Sequence, residues 1–222
     1  MSLSIQLPRF MQKLDAKWLS IGTLWLFHIS AIIGITAGYF EFFVTKTPLN
    51  LIIAIALLVL NYKINTLKTS LLLLTFFSAG MFVEWVGVHN DFLFGPYAYG
   101  DNLGWKLDGV PYLIGVNWAI LVFITGAMAN TFKINQWLKV FLGAFLMVFL
   151  DFMIEVAAPI FDFWAFDGGV APLQNYIAWF AIASVLHFIF QRMCVKGDTF
   201  FSVHLYVCQL VFFTYFAVYY TL

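Results

Sequence analysis

Residues 68–89 read KTSLLLLTFFSAGMFVEWVGVH, and this run decides the class of the protein. Between the basic Lys68 and the terminal His89 it carries one charged side chain, Glu84. A helix that crosses a membrane needs roughly 20 mostly apolar residues, and this run has that length. We therefore interpret it as a transmembrane helix that holds one carboxyl group.

The composition of the whole chain supports a membrane protein. Of its 222 residues, 63% are hydrophobic and 10% are charged, whereas soluble domains are roughly 45 to 50% apolar and about 25% charged. Lys and Arg together number 11, as do Asp and Glu, so the basic excess of a nucleic-acid-binding protein is missing. The two cysteines, Cys194 and Cys208, lack metal-site spacing. We expect no nucleic acid, metal or disulfide framework.

Seven apolar stretches are long enough, or nearly so, to cross a bilayer. The second is the weakest, because its apolar run ends early at Asn61. We therefore predict an all-α polytopic membrane protein with about seven transmembrane helices, in which residues 1–222 form a single integral membrane domain. The predicted spans are about 18–40, 47–62, 68–89, 110–130, 136–158, 173–191 and 199–221.

The basic residues predict the orientation of these helices. With a cytoplasmic N-terminus, only Lys46 and Lys106 lie outside, and this asymmetry satisfies the positive-inside rule. We expect an N-in, C-out, multi-pass protein of a bacterial-type cytoplasmic membrane. The basic residues placed inside are Arg9, Lys13, Lys17, Lys63, Lys68, Lys133, Lys139, Arg192 and Lys196.

Three carboxyl groups lie within predicted spans: Glu84 on the third, and Asp151 and Glu155 on the fifth. An ionisable residue at membrane depth costs roughly 2.5 to 3.5 kcal/mol on insertion scales, which marks it as a functional candidate. At about 1.5 Å per residue, Glu84 and Glu155 lie ~24 Å above the inner face. Asp151 and Glu155 share a helix face. We expect the three acids to line one pocket, although helix packing or contact with interfacial water is the simpler alternative.

The two acidic helices lead into similar loops. Each loop is aromatic, and in each a Pro opens the return helix with a Trp seven residues later: Pro111 with Trp118, and Pro172 with Trp179. This pattern indicates an internal repeat of two helix-loop-helix hairpins. An axis along the membrane normal would relate them and bring their acids onto facing helices.

The same loops and return helices supply candidate binding residues. Aromatic faces stabilise a desolvated cation by roughly 0.5 to 2 kcal/mol each, and an Asn amide can both donate to and accept from a water. Interhelical hydrogen bonding is an equal alternative for the two Asn residues. The predicted binding set is Tyr97, Tyr99, Asn117, Trp118, Trp164, Asn175 and Trp179.

Two ordered stretches, 84–118 and 150–179, resemble the two signatures of the membrane-embedded carotenoid hydratases, the carotenoid 1,2-hydratases and bisanhydrobacterioruberin hydratase-like proteins. The resemblance covers about 68–190. This chain has Val156 in place of a usual Pro, His89 and Asn90 in place of Thr-Gly, and Phe166 in place of a usual Trp. None of these departures removes an acid.

The resemblance implies addition of water to the terminal isopropylidene double bond of an acyclic carotenoid end, of the lycopene or gamma-carotene type. Glu84, Glu155 and Asp151 would be the catalytic acids. A neutral carboxylic acid would protonate the alkene, aromatics and a second carboxylate would stabilise the tertiary cation, and water would capture it. The partners would be a carotenoid in the bilayer and water, with no metal or organic cofactor.

Three other functions compete with hydration. A carotenoid cyclase or isomerase begins from the same protonated alkene, so the chemistry of the residues does not separate it from a hydratase. A proton-coupled transporter could also use buried carboxylates. A retinal photoreceptor needs a Schiff-base Lys on its last helix, and residues 199–221 contain none.

The charge asymmetry makes the orientation testable. A reporter fused after Leu222 is expected outside the cytoplasm, and one inserted near Asn65 inside, because the basic loops stay on the cytoplasmic side. Reporters of opposite compartment preference, such as alkaline phosphatase and green fluorescent protein, measure this. Both positions on one side would show that the number of spans is wrong.

Overall fold

The computed structural model describes residues 16–62 and 64–221 as a bundle in which seven helical spans are long and apolar enough to cross a membrane. The predicted all-α membrane fold is therefore confirmed. The helices are α1 (Ala16–Thr36), α2 (Phe40–Val44), α3 (Thr47–Tyr62), α4 (Leu67–His89), α5 (Asp91–Phe94), α6 (Tyr112–Ala129), α7 (Gln136–Glu155), α8 (Leu173–Arg192) and α9 (Thr199–Thr221). The short strands are β1 (Tyr97–Tyr99), β2 (Lys106–Leu107), β3 (Val110–Pro111) and β4 (Trp164–Phe166).

Three predicted boundaries were wrong by a few residues. The first helix ends at Thr36 rather than near residue 40, because Gly38 takes a left-handed φ of 94° and turns the chain into α2. The fourth long helix starts at Tyr112 because the two residues before it form β3. The fifth ends at Glu155, after which the chain forms turns.

The orientation stays a prediction. Arg9, Lys13 and Lys63, on which it partly depends, lie outside the described residues, as does Leu222. Among the basic residues that the structure describes, Lys46 and Lys106 remain the two that the prediction places outside.

Helix α6 is the centre of the bundle. It contacts α3, α4, α7, α8 and α9, and most of its side chains are buried. The helix has no charged residue, and a helix that is apolar on all sides is stable where other helices surround it. Its N-terminal half therefore provides a rigid wall behind the acidic ends of α4 and α7.

A glycine lets α4 and α6 approach closely near the acids. A Cβ atom at Gly80 would lie 2.6 Å from the Cβ of Trp118, so only Gly fits at this crossing. Small residues at helix interfaces allow such close approach in membrane proteins. The close packing places the Trp118 indole beside Glu84, one turn further along α4.

The two outer loops form one layer. Strand β1 pairs with β4 in antiparallel register, Tyr97 opposite Phe166 and Tyr99 opposite Trp164. The backbone N–H of Gly100 donates to the carbonyl of Phe163 over 2.9 Å, which continues the contact beyond the strands. The loop after Glu84 and the loop after Glu155 are thus joined by main-chain hydrogen bonds.

This pairing is the arrangement that a two-fold axis along the helices would produce. The register is symmetric about the Ala98 and Ala165 pair. The two tryptophans that follow the loop prolines, Trp118 and Trp179, stack with ring centroids 3.9 Å apart. The internal repeat stays a prediction, which this symmetry supports.

The contact at Gly100 generates a stability test. A Cβ atom there would lie 2.2 Å from Asp162 Oδ1 and 2.4 Å from the Asp162 carbonyl oxygen, so Gly100→Ala forces the two loops apart. We expect a loss of about 1 to 3 kcal/mol of unfolding free energy, as for other overpacked sites. Thermal unfolding in detergent measures it. The control is Gly168→Ala, since nothing lies within 4 Å of a Cβ at Gly168. Equal Tm values for the two variants would contradict the tight contact.

Candidate functional site

The three acids meet in one pocket at the ends of α4 and α7. Its walls come from these helices, α6, α8 and the paired outer loops. Its volume is about 10 Å³, which is room for about one water molecule and no organic ligand. The lining residues are Glu84, Phe94, Tyr97, Tyr99, Ile114, Asp151, Glu155, Trp164, Phe166, Asn175 and Trp179.

Glu84 receives three hydrogen bonds in this pocket. The hydroxyls of Tyr97 and Tyr99 each donate to its Oε2 over 2.7 Å, and the indole N–H of Trp118 donates to Oε1 over 2.8 Å. The side chain is 2% exposed. A buried carboxyl with three donors has the hydrogen bonding that an ionised carboxylate needs.

Tyr97 and Tyr99 are positioned by strand β1. Their side chains alternate with Ala98 along the strand, so both rings reach the same side, 5.5 Å apart. Burial first, and then the charge of Glu84, raise the pKa of Tyr97 and of Tyr99 well above the ordinary value for tyrosine. Both phenols therefore keep their protons and remain donors to Glu84 at any physiological pH.

Lys106 holds the end of this strand. Its ammonium donates to the Tyr99 carbonyl over 3.0 Å and to Asp101 Oδ1 over 2.8 Å. This hydrogen bond, and then the positive charge, lower the pKa of the Asp101 carboxyl. The sequence identified Lys106 as one of two outer cations, but nothing in its spacing indicated that it would position a site residue.

The other two acids have fewer donors. The indole N–H of Trp164 donates to Glu155 Oε2 over 3.2 Å, and the Asn175 amide donates to Glu155 Oε1 over 3.4 Å. Asp151 is 2% exposed, and its Oδ2 has no hydrogen-bond partner in the described part of the chain. The pocket is therefore asymmetric, with one fully bonded carboxyl facing two weakly bonded ones.

The pocket has no positive side chain to balance these acids. Among the residues that line it there is no Lys, Arg or His. Three ionised carboxylates in a dry pocket would repel one another strongly, because Coulomb energies rise as the dielectric falls. The arrangement is suited to a pocket in which at least one acid is neutral and able to donate a proton.

Two predicted binding residues lie away from the pocket wall. Trp118 is fully buried behind Glu84, where it orients the carboxyl and stacks on Trp179. Asn117 points elsewhere, into a larger cavity of about 310 Å³. Adjacent residues on a helix are about 100° apart around its axis, so Asn117 and Trp118 point in different directions.

Sequence reasoning missed the apolar walls of the pocket and the larger cavity. Phe94, Ile114 and Phe166 complete the pocket, but an apolar residue among many others carries no signal. The larger cavity lies against α1, α2, α3 and α9, whose sequences contain no acidic motif. Ile114 and Trp164 line both spaces.

In residues 16–62 and 64–221, no group of three or more His, Cys, Asp or Glu side chains is arranged to hold a metal ion. That the site works without metal or organic cofactor stays a prediction.

Comparison with known proteins gives one match. A family model described as carotenoid biosynthesis protein matches residues 46–222, which include all residues of the acid pocket. No curated protein and no solved structure matches the chain. The match covers α3 through α9 and omits α1 and α2.

Proposed function

Because this chain belongs to the carotenoid biosynthesis protein family, we propose that it is a hydratase that adds water to the terminal isopropylidene double bond of an acyclic carotenoid end. The observation that carries the proposal is the acid pocket: two buried carboxyl groups, Glu84 and Asp151, and the half-buried Glu155 surround a space for about one water, next to a larger cavity. These are the reactants of an acid-catalysed hydration, a proton and a water, held apart from bulk solvent.

The first step is proton transfer from the Asp151 and Glu155 pair. These two carboxyls have few hydrogen-bond donors around them, and burial favours the neutral form of a carboxylic acid. The acid's O–H bond breaks while a C–H bond forms at the less substituted alkene carbon. The electron pair of the double bond makes that C–H bond and leaves a tertiary carbocation, with a carboxylate on the enzyme.

The second step is capture of the cation by water. The water oxygen forms the C–O bond, and its proton passes to the carboxylate that was left, which restores the acid. Alkene and water thus become a tertiary alcohol, and the enzyme is unchanged. Asn175 is suited to hold the water, since its neutral amide lies in the pocket beside Glu155 and cannot trap the cation.

Glu84 has a different role in this proposal. The Trp118 N–H can only donate, so Glu84 Oε1 must accept, and two phenols donate to Oε2. Glu84 as a carboxylate stabilises the cation by charge. The face of Trp164, which lines both the acid pocket and the larger cavity, contributes roughly 0.5 to 2 kcal/mol where it meets the cation without water between. Tyr97 and Tyr99 act through Glu84, to which they donate.

The nearest rival is end-group cyclisation, in which the chain's own double bond captures the cation. The space for one water among three acids favours hydration over that outcome. Expression in a lycopene-producing strain, with pigment masses measured, separates the two. Hydration adds the mass of one water, whereas an unchanged mass with an altered absorption spectrum would replace hydration by cyclisation.

The acids give the first functional prediction. Glu155→Gln and Glu84→Gln are each expected to lose at least ~100-fold in hydration rate, the usual scale of general acid catalysis. Asp151→Asn should lose less of the hydration rate than Glu155→Gln if Asp151 only orients Glu155. It should lose as much if the two carboxyl groups share the proton. Product per unit of inserted protein is the measurement.

A surface acid provides the matched control for these variants. Asp91→Asn removes a carboxyl from the same outer face, but Asp91 is exposed and does not line the pocket. It should retain wild-type activity. Near-normal rates for both Glu variants would remove the acid pocket from the mechanism.

The fate of the cation gives the second functional prediction. Without a held water the cation loses a proton instead, so Asn175→Leu should lower hydrated product and return substrate or a shifted-alkene isomer. In heavy water, that recovered carotenoid should carry deuterium in its end group. Asn130→Leu is the matched comparison, because Asn130 lies at the other end of α6 and lines neither the acid pocket nor the larger cavity, and it should cause much less exchange. An inactive Asn175→Leu that returns carotenoid without deuterium would exclude the water-holding role.

A further inference from the structure

The larger cavity next to the acid pocket has the size and lining of a site for an apolar ligand. Its volume is about 310 Å³, which falls within the range of ligand pockets, roughly 300 to 1,000 Å³. Most of its wall is apolar, with aromatic side chains from α1, α2 and α9 and from the loop after α7. The acid pocket is too small for any organic group, so a substrate needs a second space.

The two spaces share a wall. Ile114 and Trp164 line both, and Trp164 also donates to Glu155. A chain end seated against this shared wall lies next to the acids, while the rest of the chain stays among apolar side chains. Asn117 also lines the cavity, and it follows Ile114 by three residues on α6.

The cavity also extends deeper into the bundle than the acids do. Gln209 lines it about 15 Å along α9 from Thr199, whereas Glu84 lies about 26 Å along α4 from Leu67, at about 1.5 Å per residue. Both helices start at the same end of the bundle. Gln209 therefore lies about 10 Å deeper along the membrane normal than Glu84, so the cavity reaches below the level of the acids.

One residue deep in the cavity wall has a buried polar atom without a hydrogen-bond partner. Gln209 is 7% exposed, and its Oε1 has no hydrogen-bond partner in the part of the chain that the structure describes. Buried polar atoms in a closed core are nearly always paired. Gln209 thus brings an unpaired polar oxygen to a wall that is otherwise mostly apolar.

Two residues of the cavity wall, one on α2 and one on α3, are exposed at the outside of the bundle. Phe42 and Leu49 line it and are 61% and 47% exposed. Helix α2 lies at the level of the outer loops, since the Phe40 ring contacts Phe161 at 5.6 Å. In a membrane, exposed apolar residues on a helix bundle face lipid. This side of the cavity therefore borders the bilayer.

We propose that this cavity, here called the chain cavity, binds the end segment of an acyclic, methyl-branched polyene hydrocarbon. The segment enters from the bilayer between α2 and α3, and its terminal double bond rests against the wall formed by Ile114 and Trp164. The identity of the occupant rests on the proposed function. The place of binding rests on the cavity's size, apolar lining and depth, and on the wall that it shares with the acid pocket.

Cavity-filling variants test the site, with lycopene as the probe. Ala31 on α1 and Leu51 on α3 both line the chain cavity. In the Glu84→Gln background, which suppresses turnover, Ala31→Phe and Leu51→Trp should each lower the lycopene retained per purified protein at least tenfold. Ala31→Leu should fall between these variants and the parent, because it fills less of the space.

Each filling variant has a control on the same helix. Ile33 and Ile52 are 63% and 54% exposed and do not line the cavity, so Ile33→Phe and Ile52→Trp add similar bulk on the lipid side. Both controls should retain as much lycopene as the parent. Thermal unfolding and elution profiles show whether each variant is folded. If Ala31→Phe prevents folding, the lycopene retained by Ala31→Leu tests the site with a smaller side chain.

The outcomes separate this proposal from the hydratase assignment. Folded filling variants that retain lycopene as well as their controls would overturn the chain cavity, even if the wild-type enzyme hydrates lycopene. Loss of lycopene in the filling variants alone supports the chain cavity, even if the wild-type product is cyclised rather than hydrated. A folded Glu84→Gln parent that retains no lycopene would overturn a hydrocarbon occupant.

Discussion

The burial of Glu84 with its hydrogen bonds made is the constraint on which the outer half of this bundle depends. A carboxyl at membrane depth is expensive unless other groups satisfy it. Here the three donors come from two separate segments: Tyr97 and Tyr99 from β1, and Trp118 from α6. The close crossing at Gly80 brings in the indole, and the loop contact at Gly100 holds the strand, so both glycines serve the same carboxyl.

The hydrogen-bond donors of the pocket are distributed unevenly among its three carboxyl groups. Glu84 is surrounded by three donors, whereas Glu155 has two long hydrogen bonds and Asp151 leaves one oxygen unpaired. Groups of one residue type can thus take different roles, as an anion and as a proton donor, because their surroundings differ. The small acid pocket and the adjacent chain cavity then separate the polar chemistry from the binding of an apolar chain, with Trp164 common to both.

Much of the architecture could be predicted from the residues themselves. Apolar runs of membrane length predicted the seven spans, because a bilayer demands that backbone polar groups be satisfied within helices. The three acids could be identified because an ionisable side chain within a membrane span carries a large free-energy cost. The aromatic loops and their Pro to Trp spacing led to Tyr97, Tyr99, Trp164 and Trp179, which do line the acid pocket.

What the sequence by itself determined is therefore the class, the spans and the polar residues of the pocket, since each depends on the composition of a local stretch. Only the tertiary structure decided the pairing of β1 with β4, the placement of Asn117 in the larger cavity and Asn175 in the acid pocket, and the existence of the chain cavity. These features depend on the rotation and crossing of helices far apart in sequence. Apolar side chains that meet across such distances leave no local pattern to predict them from.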